Sequence, residues 1–281
     1  MKLFRWINGG VITRLVVFAV AGMAVIAVVS AGTASAAPSM LCGGDAAYQV
    51  EVSGSSAAAG PPDVRCSGTF SGTAHDLTVP SNVPNCLLMG ATITHDVIVQ
   101  ENGFLLAEGT AIGHDLIADK PSTVGTGVAN DVEGPVEVGH DIVISGPLTD
   151  QFGNHSCCPG IADTTIGRDL RISDLLVDFE MGIHNDDVGR DLVVTGNSTG
   201  ICCGFGPIDV GNNSVGRDLV VSGNTTAGGD FGWISVYENN VARDATCANN
   251  SPPESKKSPG QLDFLGRSVG PNTVGRNDSC D

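Results

Sequence analysis

The phrase VGRDLVVTGNSTG at residues 188–200 returns as VGRDLVVSGNTTA at 215–227, identical at ten of thirteen positions and displaced by 27 residues. Its core recurs along the chain as Ala74-His75-Asp76-Leu77, Thr94-His95-Asp96-Val97, Gly113-His114-Asp115-Leu116 and Gly139-His140-Asp141-Ile142. Four more copies follow: Gly167-Arg168-Asp169-Leu170, Gly189-Arg190-Asp191-Leu192, Gly216-Arg217-Asp218-Leu219 and Ala242-Arg243-Asp244-Ala245. The eight copies stand 20, 19, 26, 28, 22, 27 and 26 residues apart. Units of this length are too small to bury an apolar face alone and do so by stacking.

Within a copy, Val215, Leu219 and Val221 are apolar and Gly216, Arg217 and Asp218 interrupt them, a pattern that predicts a strand, a tight corner and a second strand. Met181 and Ile183, Ile208 and Val210, and Ile234 and Val236 lie nine and seven residues before their arginines, which adds a third strand per unit. No segment carries sustained helical periodicity. Short strands in a fixed order keep their register only by stacking in parallel at about 4.8 Å per turn. The prediction is an all-β chain, a right-handed parallel β-helix of about eight rungs. Asn82, Asn102, Asn197, Asn224 and Asn250, each seven residues after a His or Arg of the phrase, are expected to stack as one amide ladder.

Residues 1–36 read as a signal peptide. Lys2, Arg5 and Arg14 precede an apolar run from Leu15 to Val29, and Ala34 and Ala36 occupy the small-residue positions of a cleavage site. Beyond it the sequence divides into an amino-terminal linker and cap (37–65), the β-helix (66–250) and a carboxy-terminal capping tail (251–281). Without the leader the chain carries 11 basic against 31 acidic side chains. Such a surface repels nucleic acid and anionic lipid and accommodates cations, basic proteins or neutral glycans. The expected partners are a glycan or an envelope protein, with no nucleic acid, no membrane after cleavage and no cofactor.

The nine cysteines all follow the leader and suit an oxidising, extracellular destination. Cys66 and Cys86 are one early rung apart, and Cys247 and Cys280 bracket the tail; both pairs are candidate disulfides stapling the ends of the coil. The vicinal pairs Cys157-Cys158 and Cys202-Cys203, with His155 near the first, fit loop disulfides or a soft metal, and Cys42 is left over.

The phrase Gly-Arg-Asp-Leu-x-Val-x-Gly-Asn, the early Cys66 and Cys86, and the ending from Cys247 through NNSPPESKKSPG to Cys280 resemble a family of secreted β-helix proteins of actinobacteria. The resemblance implies a right-handed β-helix and export, and carries no activity. A weaker similarity is to bactofilins, polymer-forming β-helices whose rungs are cysteine-free.

The corner pair concentrates the chemistry. Eight aspartates stacked at strand spacing repel unless compensated. The compensating neighbours are His75, His95, His114 and His140 in the first half and Arg168, Arg190, Arg217 and Arg243 in the second. The column predicts carboxylates bonded to turn amides, or a charge zipper whose histidine half titrates and whose arginine half does not. Histidines stacked singly along an axis are not expected to converge on a metal.

Trp233 and Tyr237 share outward parity in WISVYE, giving either a ligand platform or a patch that Leu262, Phe264 and Leu265 of the tail cover. Asp163, Asp169, Asp174, Asp178, Asp186, Asp187, Asp191 and Asp209 offer carboxylates, but no local motif selects the facing pair that glycoside cleavage needs. The reading is a secreted, non-catalytic scaffold or binding protein, with an extracellular polysaccharide lyase or hydrolase as the alternative.

Overall fold

The computed structural model describes residues 60–83, 85–127, 134–146, 160–177, 180–200, 206–226, 232–251 and 270–280, together with the backbone of strands at 4–8, 11–20, 23–30 and 51–52. The chain divides into two units, Met1–Met40 and Leu41–Asp281. The first holds three antiparallel strands, Phe4–Asn8, Val11–Val20 and Met23–Ser30. Among the described residues no helix is long and apolar enough to cross a membrane.

The second unit is the parallel β-helix. Three long sheets run along it, one for each strand of the repeat. Two- and three-residue strands leading into the corner, such as Asp187–Val188, Ser214–Val215 and Asn240–Val241, form a nine-stranded sheet. Strands leaving the corner, such as Leu192–Thr195 and Leu219–Ser222, form a sheet of ten. The third sheet, of eight, contains Met181–His184, Ile208–Gly211 and Ile234–Tyr237. Equivalent residues of neighbouring copies are partners, as in Leu192↔Leu219 and Val194↔Val221.

Alternation decides what is buried. Leu192, Val194, Leu219 and Val221 point inward and are fully enclosed, as are Leu77, Val97, Leu116, Ile142 and Leu170 at the same place in earlier rungs. These branched aliphatics fill most of a narrow core, with Phe70 and Tyr237 the aromatics buried among the described residues, which explains why a chain with 5% Phe, Trp and Tyr folds. At the corner the rungs approach closely: a Cβ at Gly216 would lie 2.2 Å from the carbonyl oxygen of Gly189. Glycine is therefore required by packing here, before any argument from backbone dihedrals.

The repeat extends further than eight copies. Thr273–Val274 pairs in parallel with Asn240–Val241, and the Arg276 amide donates to the Arg243 carbonyl at 2.8 Å. Gly275-Arg276-Asn277 is thus a ninth corner within the tail. At the other end, Val64–Arg65 pairs with Leu77–Val79, and Glu51–Val52 covers its open edge in antiparallel. Disulfides Cys66–Cys86 and Cys247–Cys280 link coils adjacent to the two ends. Cys42, His155, Cys157, Cys158, Cys202 and Cys203 lie outside the described residues, as do Leu262, Phe264 and Leu265.

Asparagine stacks differently from expectation. Asn197, Asn224 and Asn250 form a buried ladder: Nδ2 of Asn197 donates to Oδ1 of Asn224 at 2.9 Å, and Nδ2 of Asn224 to Oδ1 of Asn250 at 3.1 Å. Asn82 and Asn102 do not belong to it. They adopt left-handed backbone, φ 62° and 60°, and touch each other on the surface at 3.5 Å. In the later rungs the preceding residue, Gly223 at φ 65° for example, takes the left-handed conformation and frees Asn224 to turn inward. The shared count of seven residues hid a one-residue shift of the turn.

A second ladder runs along the opposite turn. Asn213 Nδ2 donates to Asn239 Oδ1 and Asn239 Nδ2 to Asn272 Oδ1, both at 3.0 Å. Asp186 occupies the same place one rung earlier, its amide donating to Asn213 Oδ1 at 3.0 Å. All four stand four residues before an arginine, a regularity visible in NDDVGR, NNSVGR, NNVAR and NTVGR.

Candidate functional site

The corner column is where sequence and structure concentrate charge. Each aspartate is fixed by the rung that follows. Oδ1 of Asp76 accepts the Asp96 amide at 3.1 Å, Asp96 that of Asp115 at 3.1 Å, and Asp115 that of Asp141 at 2.9 Å. The pattern continues from Asp141 to Asp169 at 3.0 Å, Asp169 to Asp191 at 3.1 Å, and through Asp191, Asp218 and Asp244 at 3.3 Å each. Asp63 extends it one step upstream, accepting the Asp76 amide at 3.4 Å. The carboxylates accept amides at the next corner and so bridge rungs.

The cations stand beside this row. Arg168 reaches Asp141 at 3.1 Å, Arg190 reaches Asp169 at 3.6 Å and Arg243 reaches Asp218 at 3.5 Å, each pairing with the aspartate of the preceding rung. Arg217 makes a two-pronged contact with Asp191, its Nε 2.7 Å from Oδ1. Arg276 repeats the contact with Asp244 at 2.8 Å. Arg171, from the following strand, adds a bond to Asp169 at 2.9 Å.

In the other half the imidazoles of His75, His95, His114 and His140 lie one above another, ring centroids 5.0, 4.4 and 4.4 Å apart. His95 Nδ1 is 2.7 Å from Asp76 Oδ1 and 3.2 Å from Asp96 Oδ2, and His114 Nδ1 is 3.9 Å from Asp96 Oδ1. The expectation that stacked histidines fail to converge omitted the carboxylate between them. His75, Asp76 and His95 bring three donor atoms within 4.8 Å of one another, and so do His95, Asp96 and His114.

Charge shifts follow these contacts. The hydrogen bond to Asp76 lifts the His95 pKa above its ordinary value, opposed by slight desolvation and aided by Asp96, Asp76 and Asp115. Burial alone would raise Asp76, but the Asp96 amide and the hydrogen bond and charge of His95, with His75, bring it below its ordinary value. Asp169 is likewise lowered: burial is outweighed by Arg171, the Asp191 amide and Arg190. Hydrogen bonding and the charge of Asp191 raise Arg217, with Asp218 and Asp169 adding to the effect.

The His95–Asp76 contribution to stability has a defined pH window. A raised imidazole stabilises fully below its unfolded value and loses that contribution as pH rises through the folded one. A lowered carboxyl stabilises above its unfolded value and loses it as pH falls through the folded one. The pair therefore contributes fully from about pH 4 to 6.5. Denaturant unfolding measured from pH 5.5 to 8 in a metal chelator should show wild type losing stability relative to a variant with His75, His95, His114 and His140 changed to Gln. Parallel curves would remove the zipper as a source of pH dependence.

Trp233 and Tyr237 do not make an open platform. Tyr237 is 2% exposed, its ring crossing Gly211 of the preceding rung, where an added Cβ would stand 2.5 Å from the ring. Trp233 is half-buried. The outward face of the ten-stranded sheet is the more open surface. Ile98 and Ile117 are register partners 41% and 39% exposed, and Val143, Val193 and Val220 continue in the same row, interrupted by Arg171. A gap within the coil is lined by Val124, Ile144, Gly160, Ile161, Ile172, Leu175 and Met181, which supply no catalytic group.

No known protein family, curated protein or solved structure matches this chain.

Proposed function

We propose that the chain is a secreted, non-catalytic β-solenoid scaffold or binding protein of the cell envelope or extracellular space, with a glycan or an envelope protein as partner. The observation that carries this reading is the commitment of the corner carboxylates to the amides of the next rung. Hydrolysis of a glycosidic bond uses two carboxyl groups facing each other across the substrate, about 5 to 9.5 Å apart. The corner acids instead follow one another down a single edge, paired with guanidinium groups in the arginine half.

The remaining surface suits contact. The row of Ile98, Ile117, Val143, Val193 and Val220 lies on a sheet whose backbone is already paired on both sides, so it can receive a partner without exposing unsatisfied amides. Two end disulfides fit an oxidising compartment.

The test is a glycan array probed with the full chain, followed by product analysis of every bound glycan. Binding with no shortened product, lost on changing Ile98 and Ile117 to Asp, is the expected result. Release of unsaturated or hydrolysed fragments would replace this reading with that of a polysaccharide lyase or hydrolase.

A further inference from the structure

The two halves of the corner share one aspartate column and differ in what stands beside it. Guanidinium groups have no lone pair to give, whereas a neutral imidazole is among the commonest ligands of transition metals. We propose that the histidine half is a binding site for one divalent transition-metal ion of the Zn²⁺ and Cu²⁺ class, held by His95, Asp96 and His114.

The geometry carries the proposal. Tetrahedral zinc with bonds of about 2.0 to 2.2 Å places its ligand atoms about 3.3 Å apart. His95 Nδ1 stands 3.2 Å from Asp96 Oδ2, and His114 Nδ1 stands 3.9 Å from Asp96 Oδ1. All three donors lie within 4.8 Å of one another, and the excess over the tetrahedral spacing is closed by rotation of the two imidazoles about their side-chain bonds. Asp96 Oδ1 already accepts the Asp115 amide at 3.1 Å, which fixes the carboxylate and leaves Oδ2 for the metal. His95 and His114 side chains are 38% and 44% exposed, so the remaining coordination positions open to water.

His75, Asp76 and His95 form a second set of the same kind. It shares His95, whose Nδ1 lies at hydrogen-bond distance, 2.7 Å, from Asp76 Oδ1. His95 is common to both sets, and two divalent ions drawn to one imidazole would repel each other at close range, which favours occupancy by a single ion. Imidazole and carboxylate together favour Cu²⁺ over Zn²⁺, and both over Mg²⁺ or Ca²⁺, which prefer oxygen alone. The acidic surface, with a net charge of −17 for the full sequence, raises the local concentration of any cation.

The site is tested by calorimetric titration of Zn²⁺ into the full chain at pH 7.5, with disulfides intact and the other thiols alkylated so that Cys157, Cys158, Cys202 and Cys203 cannot ligate. The expected stoichiometry is one ion per chain. His95→Arg places at this corner the residue type that five later corners carry, which keeps the Asp76 partner and the fold while removing the ligand. It should weaken Zn²⁺ binding at least about tenfold. His140→Gln, outside the ligand set and without a new charge beside it, should leave the affinity within about threefold. Cu²⁺ bound to wild type should show coupling to two imidazole nitrogens by electron paramagnetic resonance. Zn²⁺ affinity unchanged in His95→Arg, or no heat of binding to wild type at millimolar Zn²⁺, would overturn the proposal.

Discussion

Replacing Asn213 with alanine is expected to lower the unfolding free energy by about 3 kcal/mol, since it strands two buried backbone groups at about 1 to 3 kcal/mol each. Asn213 Oδ1 accepts the Asp186 amide at 3.0 Å, and its Nδ2 donates to the Ile183 carbonyl at 3.1 Å as well as to Asn239. No side chain is placed to replace these bonds, because the residue is 1% exposed and lies between rungs. Its neighbour Asn212 does a different job: φ is 59°, in the left-handed region that glycine occupies freely. Asn212→Gly should therefore change stability by no more than about 0.5 kcal/mol. Urea unfolding of the two variants separates the roles. Equal losses would show that the ladder contributes no more than the turn.

Asp186→Asn is expected to act in the opposite direction, raising stability at pH 7 to 8 by about 1 to 3 kcal/mol. Asp186 is 2% exposed; Oδ1 accepts the Thr164 amide at 3.0 Å, while Oδ2 has no hydrogen-bond partner among the described residues. In Asn213 and Asn239 the corresponding atom is an NH₂ group that donates to a neighbouring asparagine and to a carbonyl. A carboxylate there faces acceptors with nothing to give. Burial pushes its pKa well above the ordinary carboxyl value; the Thr164 amide opposes this and the charge of Asp163 adds to it. An acid whose folded value is raised supports the fold below its unfolded value and loses that support as pH rises through the folded one. The gain from Asn should thus shrink as pH falls and level off only below about 4, where the acid is protonated in both states. A variant less stable than wild type at pH 8 would mean that the charged form is stabilised by something the ladder does not include.

How far the sequence could be read depended on what each residue answers to. Leu192, Leu219 and Val221 respond to alternation and burial, so their inward positions and the parallel stacking were legible from period alone. Rung spacing and position at the ends made Cys66–Cys86 and Cys247–Cys280 candidate disulfides, and the structure forms both. Turns were less legible because their conformation depends on which residue absorbs the positive φ. Asn82 does so itself, whereas Gly223 does so for Asn224, and the two asparagines diverge although their count from the corner is the same. The second ladder was less legible because its first position holds Asp186 where later rungs hold Asn213, Asn239 and Asn272. Tyr237 illustrates a further limit: strand parity fixes the side of the sheet, and burial of that side depends on other segments. The His–Asp–His geometry required the spacing between rungs, which brings His95 and His114 to either side of one carboxylate.

The central claim is that equivalent residues of successive phrases are parallel neighbours. It is tested most directly by nuclear Overhauser contacts in the protonated, isotope-labelled and backbone-assigned chain. The account predicts backbone contacts of the parallel type linking 192 with 219, 194 with 221 and 219 with 245, at separations of 26 to 27 residues set by the register. Close Hα–Hα contacts between successive strands of one phrase, the mark of antiparallel hairpins, would contradict it.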